Sequence, residues 1–445
     1  MRLKQRIEDF RVRELLAPDV VGAEGEWAVY RVTKRKLTSL EAAARVAQAA
    51  GVQSGEVSMA GLKDRQGVTI QHMALHGGRT LTLHDPDLRV ETIGRARAEL
   101  DAEASEGNAF ELVLRALDAR ELALLRANLA QIREHGLVNY FGDQRFGNLR
   151  HGQGWIAREL MHGEPERALR ALLTGLSQHD DRESAAFKLA LGRAWGDWAA
   201  CRDVAGRFGA HHSVFEHLKR NPDDFAGAFQ HVSTRLRLIH LYAFQSHLWN
   251  RAVAEYVRLV VPPAERIVIE SVEGPLVFPS GALPLEPPGP PPQPAMGESF
   301  RLPGERLADV EHPLQRALLE DALAAERMVP AEFAIQGVPG FQIKGENRPL
   351  LVRPRHLRVR PAEPDPLNRP LRLVKVRFEL PRGAYATLVV QRLVRSAGEP
   401  GPGERRRAGG ARDDRARRPE RAPRAEGRRF ERESRDDRAL RPERG

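Results

Sequence analysis

The chain predicts an α+β (mixed α/β) fold: a mixed sheet with flanking helices, interrupted by a mostly helical segment. Three observations carry this. Short β-like runs alternate with helices over the first third. The pattern turns helical from about Trp155 to Arg258. A run alternating apolar and polar residues, LRLVKVRFEL at 371–380, then returns to strand character. Strands and helices intermixed in this way favour a sheet with helices packed on it.

Taken in order, Phe10, Val12 and Glu14 alternate with Arg11 and Arg13, which predicts a strand within residues 3–16. WAVYRVT at 27–33 is a second strand. SLEAAARVAQAA at 39–50 is a helix, with Ser39 as N-cap and Gly51 as its end. Strand pieces follow at 56–59, 68–70, 72–75 and 81–83. Gly107-Asn108 is a turn before the strand FELVLR at 110–115. Residues 119–135 form a leucine-rich helix closed by Gly136. Further helices are expected at 153–162, 165–173, 183–195, 235–260 and 314–327, the fourth stopped by Pro262-Pro263. The proline-dense stretch 283–294 is a loop. Gly337–Gly340 turns into a strand piece at 341–343. After the strand at 371–380, residues 381–395 hold a glycine turn and then a strand or helix with Tyr385 at its mouth.

A chain of 445 residues allows two or three domains. The single cysteine, Cys201, excludes an internal disulfide and a multi-cysteine zinc site. His211-His212 is a poor metal pair, because adjacent residues do not share a helix face and no third ligand is near. The first ten residues are charged and do not read as a secretory signal. No apolar run approaches the roughly 20 residues needed to span a bilayer. A cytoplasmic protein is the expectation.

The net charge of +10 favours a polyanionic partner, nucleic acid first and an anionic membrane second. Residues 396–445 carry 16 Arg against 11 Asp and Glu, so half of the surplus lies in that tail. The tail has too little apolar surface to order itself. The other 395 residues are only mildly basic, and any nucleic-acid face there must arise by clustering.

Two stretches stand apart. MAGLKDRQGVTIQ at 59–71 reads as strand, tight charged loop, strand. Gly61 and Gly67 permit unusual backbone angles and close approach to a ligand. Asp64 has a cation on each side, Lys63 and Arg65, which favours its ionised form. Such a carboxylate can serve as nucleophile or base; a surface turn with a local ion pair is the plainer alternative. LVNYFGDQRFG at 137–147 holds three aromatics, two glycines, Asn139 and Arg145. It reads equally as a loop that presents rings to bases, at roughly 1–3 kcal/mol per stack, and as an apolar plug under the core. No Walker or dinucleotide glycine pattern occurs.

Four stretches, in this order, resemble the TruD family of tRNA pseudouridine synthases. They are Lys4…Glu8-Asp9-Phe10-x-Val12-x-Glu14, Ala60-Gly61-Leu62-Lys63-Asp64-Arg65…Val68-Thr69-x-Gln71, Asn139-Tyr140-Phe141-Gly142-x-Gln144-Arg145-Phe146-Gly147, and Leu380-Pro381-x-Gly383-x-Tyr385-Ala386-Thr387. Gly107-Asn108-x-Phe110 and Gln245-Ser246…Asn250 are smaller matches. The likeness spans roughly residues 2–395. It implies a pseudouridine synthase core over about 1–152 and 345–395 and an inserted mostly helical TRUD domain over about 153–344; the disordered basic tail over 396–445, read from composition, has no counterpart in the family.

The resemblance also implies a reaction. A uridine of tRNA, at position 13 in this family, would be isomerised to pseudouridine. No cofactor or metal is required, and the partner is tRNA, met by a monomer. Asp64 would be the nucleophile, or the group that takes a sugar proton. Lys63 and Arg65 would hold Asp64 or engage phosphate. A base within folded RNA must be flipped out to be reached, and Phe141 would stack on it. Asn139 would position the loop or contact the nucleotide. Phe10 and Tyr385 match substrate-contacting positions, Tyr385 having a core tyrosine as its plainer alternative. Lys4 and Glu14 match the N-terminal stretch. Two rivals are weighed. A catalytically idle RNA-binding or chaperone protein on the same fold is disfavoured by the presence of Asp64. A glycoside hydrolase would need a second catalytic carboxylate, and none stands out.

Overall fold

The computed structural model describes residues 1–288, 294–330, 333, 335, 337–338 and 343–398. The Arg-rich tail beyond 398, part of the proline-dense loop (289–293) and most of the expected turn and strand at 337–343 lie outside the described residues.

In chain order the first elements are β1 (Phe10–Leu16), β2 (Trp27–Arg35), α1 (Ser39–Ala50), β3 (Ser58–Met59), β4 (Val68–His76), β5 (Thr82–His84), β6 (Leu88–Ala96), β7 (Ser105–Leu117) and α2 (Ala119–His135). After β8 (Leu137–Val138) come α3 (Gly147–Arg150), α4 (Ile156–Met161), α5 (Pro165–Thr174), α6 (Arg182–Ala194), α7 (Trp198–Phe208), α8 (His212–Arg220), α9 (Phe225–Ala228) and α10 (Thr234–Val260). β9 (Arg266–Ser271), β10 (Gly274–Pro279), β11 (Ser299–Arg301) and α11 (Pro313–Ala325) precede β12 (Asn347–Pro349) and β13 (Leu351–Val352). The chain ends its described part with β14 (Arg355–Val359), β15 (Glu363–Pro364), β16 (Arg372–Pro381) and α12 (Ala386–Leu393).

One ten-stranded sheet takes β1 to β7 and β14 to β16, in the order β14-β16-β7-β1-β4-β2-β6-β5, with β15 against β16 and β3 against β4. Within it β1 and β4 run parallel, and the flanking pairs β1–β7, β2–β4 and β7–β16 run antiparallel. The sheet is therefore mixed, as the alternating pattern of the first third suggests. Among the described residues, 153–344 contribute no strand to it.

Alternation on β1 sets the register. Phe10, Val12 and Glu14 are buried while Arg11 and Arg13 are exposed. Val12 stands opposite Thr69 on one side and Phe110 on the other. A shift by one residue would turn both arginines into the core. On the buried face α2 and α12 cover Leu112, Leu114, Val374 and Val376 in one apolar cluster that continues through α4 to α11. A second cluster packs α1 through Ala42, Ala43, Val46 and Ala47 onto Tyr30, Val32, Met73 and Val90.

The helix at 39–50 begins one residue earlier than expected. Thr38 is the N-cap, in a reciprocal capping box with Glu41, and Gly51 closes the helix in the left-handed region. Ser39 is instead buried, where its hydroxyl is free to hold the neighbouring loop. Several elements lie in stretches that the sequence reading leaves unassigned, among them β6, β9, β10, α7 and α8.

Candidate active site

The loop between β3 and β4 carries Asp64. Gly67 is required there by close approach: a Cβ on it would lie 2.7 Å from the carbonyl oxygen of Phe10. Gly61 has no such constraint, its nearest neighbour being Lys63 Nζ at 3.8 Å. Below the loop, the ammonium of Lys34 on β2 donates to the carbonyls of Leu37 (2.8 Å), Lys63 (3.2 Å) and Asp64 (3.0 Å). The Lys63 amide donates to Ser39 Oγ at 2.8 Å, and that hydroxyl donates to Gln71 Oε1 at 2.7 Å.

Asp64 presents its carboxylate to solvent with a side-chain exposure of 43%. Its charged partner comes from far along the chain. Lys4 Nζ lies 3.0 Å from Asp64 Oδ2, and Gln144 Nε2 donates to the same oxygen at 3.1 Å. Lys4 itself sits at φ 55°, in the left-handed region that an L-residue enters at a cost. Its ammonium also lies 3.9 Å from the centre of the Phe10 ring.

Of the two expectations for Lys63 and Arg65, to hold Asp64 or to engage phosphate, the first is not met in this structure. Lys63 turns away from Asp64 and pairs with Glu14 at 2.6 Å. Arg65 donates through Nε to the carbonyl of Lys36 at 3.1 Å. Successive side chains on an extended loop point in opposite directions, so neither sequence neighbour reaches the carboxylate. Glu14 is buried and also accepts from the His72 amide (2.9 Å) and faces the His72 ring (3.1 Å). Burial alone would raise its pKa. The His72 hydrogen bonds and the Lys63 charge outweigh that and hold it below the ordinary glutamate value.

The loop at 137–147 is pinned from several sides. Asn250 on α10 accepts from the Phe141 amide (2.8 Å) and donates to the Phe141 carbonyl (2.9 Å). Ser246, one turn earlier, accepts from Arg145 Nε at 3.0 Å. The short Gln245-Ser246…Asn250 match thus belongs to the site's support. The Tyr140 hydroxyl donates to the Val277 carbonyl at 2.7 Å. Arg348, buried, donates to the carbonyl and side-chain oxygens of Asn139 (2.9 and 3.1 Å) and to the Gly383 carbonyl (2.8 Å). One guanidinium therefore joins the third and fourth stretches singled out in the sequence. Burial pushes its pKa down to about 10, against the pull of Tyr385.

Phe141 is not placed to stack on a base in this conformation. It is 5% exposed. Arg348 covers its ring at 3.9 Å, and Trp249 and Tyr385 pack edge-on at 5.7 and 6.2 Å. The geometry is that of the apolar plug. Asn139 is likewise buried, its amide donating to the Pro349 carbonyl at 3.1 Å, which is a loop-positioning arrangement.

Tyr385 is half-buried at the mouth of α12. Its ring lies on Gly142, where an added Cβ would come within 3.0 Å. Burial raises its pKa, while Arg145 and Arg348 pull it down. Asp64, Lys63, Leu62, Phe10, Val12, Thr69, Asn108, Phe110, Gln144, Gly383, Tyr385 and Thr387 line one cavity of about 260 Å³. A wider depression of about 510 Å³, bounded by Arg11, Arg13, Arg358 and Arg377, contains none of the candidate site residues.

Comparison with known proteins bears on this arrangement. The family model described as tRNA pseudouridine synthase D (TruD) matches residues 1–277 and 299–393. The chain belongs to the tRNA pseudouridine synthase D family. A Methanococcus maripaludis protein named as a probable tRNA pseudouridine synthase D is 26% identical over 408 residues, covering 88% of this chain and 99% of the relative. The tRNA pseudouridine synthase D of Geobacter metallireducens is 30% identical over 432 residues, covering 88% and 94%. A solved structure from Methanosarcina mazei assigned to tRNA pseudouridine synthase D superposes with a TM-score of 0.63 at 21% identity, covering 88% of this chain and 93% of that one. That structure shows the shared fold.

Around this cavity, the residues that sequence reasoning missed are Gln144, Lys34, Arg348 and His72. Gln144 stood inside a recognised stretch and carried a signal. Lys34, Arg348 and His72 carried none, because their roles depend on which strands and loops meet. No helix among the described residues is long and apolar enough to cross a membrane.

Proposed function

We propose that this chain isomerises a uridine of tRNA to pseudouridine at the Asp64 cavity, with position 13 as the target. The single observation that carries this is the convergence of Asp64, Lys4, Gln144, Phe10 and Tyr385 around one cavity in a chain of this family. The base is flipped out of the RNA to reach it. Phe10, Phe110 and Tyr385 offer apolar walls to a planar ring. Asp64 acts on the ribose, as nucleophile at C1′ or as the base that takes a sugar proton. The N1–C1′ bond breaks, the uracil turns, and C5 bonds to C1′; the proton leaving C5 is balanced by one gained at N1. The product is an isomer of the substrate, so no external donor enters the balance.

Lys4 orients the Asp64 carboxylate through its 3.0 Å contact, and its ammonium over Phe10 fixes that ring. The division into a core at 1–152 and 345–395 and an insert at 153–344 is part of this reading. It is supported by the sheet taking no strand from the described residues of 153–344. The partner is tRNA, the working form is a monomer, and the compartment is the cytoplasm. The rival reading, an idle RNA-binding protein, has no observation in its favour. The test is to incubate the purified chain with unmodified tRNA and map carbodiimide-adduct stops by primer extension. A stop at position 13 is expected; an absence of any new stop would sink the reading.

A further inference from the structure

We infer that Lys34 is a positioning residue, a buried clamp that sets the backbone of the Asp64 loop from beneath. This rests on the reading of Asp64 given above. Lys34 is the penultimate residue of β2, opposite Thr69 of β4 and Leu88 of β6, with a strand on either side. It is 1% exposed, a rare state for a lysine. An ammonium has three donors and no acceptor. All three are used, on the carbonyls of Leu37, Lys63 and Asp64. No carboxylate oxygen lies in ion-pair contact with it among the described residues.

That arrangement is costly unless it does something for the loop. Burying an ammonium is unfavourable, and the protein's response is visible: burial lowers the Lys34 pKa to about 8, against the attraction of Asp64 and Glu41 and with the repulsion of Lys63. An apolar residue at this position would pack against the α1 cluster without that cost. It would, however, leave the partly buried Lys63 and Asp64 carbonyls without the donor beneath them. These two carbonyls flank the Cα of Asp64, so the clamp fixes the direction in which its side chain leaves the backbone. Ser39 holds the amide of Lys63 from the other side at 2.8 Å. Together they leave the Asp64 carboxylate exposed on a backbone with little freedom. Catalytic geometry is sensitive on this scale: a displacement of about 1 Å can cost roughly 100-fold in rate.

Lys34 does not touch the cavity, since it is absent from its lining. Substitution should therefore act on the rate and leave tRNA capture alone. The experiment compares the parent, Lys34→Gln and Lys34→Met on unmodified tRNA. Single-turnover rate at saturating enzyme and tRNA affinity are measured, with native-state hydrogen exchange of the amides at 61–67. The expected result is a fall of about 100-fold in rate for Lys34→Met and a smaller fall for Lys34→Gln, which keeps two donors. Affinity should stay within about threefold, and exchange at 61–67 should rise in both variants. Equal rates in the three proteins, unchanged exchange at 61–67, or a loss confined to affinity would each overturn the clamp. If Lys34→Met does not fold, Lys34→Gln decides by the same criteria. A parent without activity on tRNA would defeat the functional reading instead, and the exchange measurement would still decide the clamp.

Discussion

Arg348 covers the ring of Phe141 at 3.9 Å, and its guanidinium carries no carboxylate partner among the described residues. A buried cation held by carbonyls and a π face is a weakly compensated charge. Its compensation is structural, since it fastens the Asn139 backbone to the Gly383 turn. We expect Arg348→Met to lower the melting temperature and the pseudouridine rate together, because two buried carbonyls lose their donor at about 1–3 kcal/mol each. Thermal unfolding and single-turnover assays on one preparation would check this; a stable variant with a normal rate would show that the tie is dispensable.

Phe141→Ala should be primarily destabilising. Its ring is enclosed by Trp249, Tyr385 and Arg348, and removal of a buried Phe costs about 3–5 kcal/mol. Denaturant melts would read it directly. A variant as stable as the parent, but with a slow rate, would restore a direct stacking role.

Asp64→Asn should abolish pseudouridine formation and leave tRNA affinity within a few fold. The amide is nearly isosteric and can neither attack carbon nor take the proton. Product analysis after prolonged incubation is the check, and turnover close to that of the parent would refute the assignment.

Lys4→Met should separate stability from chemistry. The Lys4–Asp64 pair is partly exposed, and such pairs contribute well under about 1 kcal/mol. The melting temperature should hardly move, while the rate at saturating enzyme falls more than about tenfold as Asp64 loses its partner. Retention of the full rate would show that the Lys4 contact is dispensable for the chemistry.

Glu14 supplies a pH dependence. Its folded pKa lies below the ordinary value of 4.5. The carboxylate therefore contributes stability that is fully present above the unfolded pKa and is lost as pH falls through the lower folded value. Glu14→Gln should flatten the stability profile below pH 4.5, and should cost stability at neutral pH by leaving Lys63 without its anion. Melts from pH 3 to 7 would test both; parallel profiles for the two proteins would exclude Glu14 as the origin.

Local pattern was enough to determine much of this protein. Period-two alternation at 10–16 and 372–381 and helical periodicity at 119–135 and 234–260 specify those elements within a residue or two, because each is decided by neighbours a turn or a pleat away. The four singled-out stretches, with Asp64 among them, were legible through their likeness to a family and not through local periodicity, which left Asp64 as plainly a surface turn as a site. What holds Asp64 was not. Its sequence neighbours Lys63 and Arg65 point elsewhere, while Lys4 and Gln144 arrive from 60 and 80 positions away. The fate of Phe141, ring-plug or ring-platform, was decided by Arg348 and by α10, neither of them near it in the chain. The partner of a charge or a ring depends on strand register and on which loops close over one another. Those are long-range contacts, and only the tertiary structure carries them.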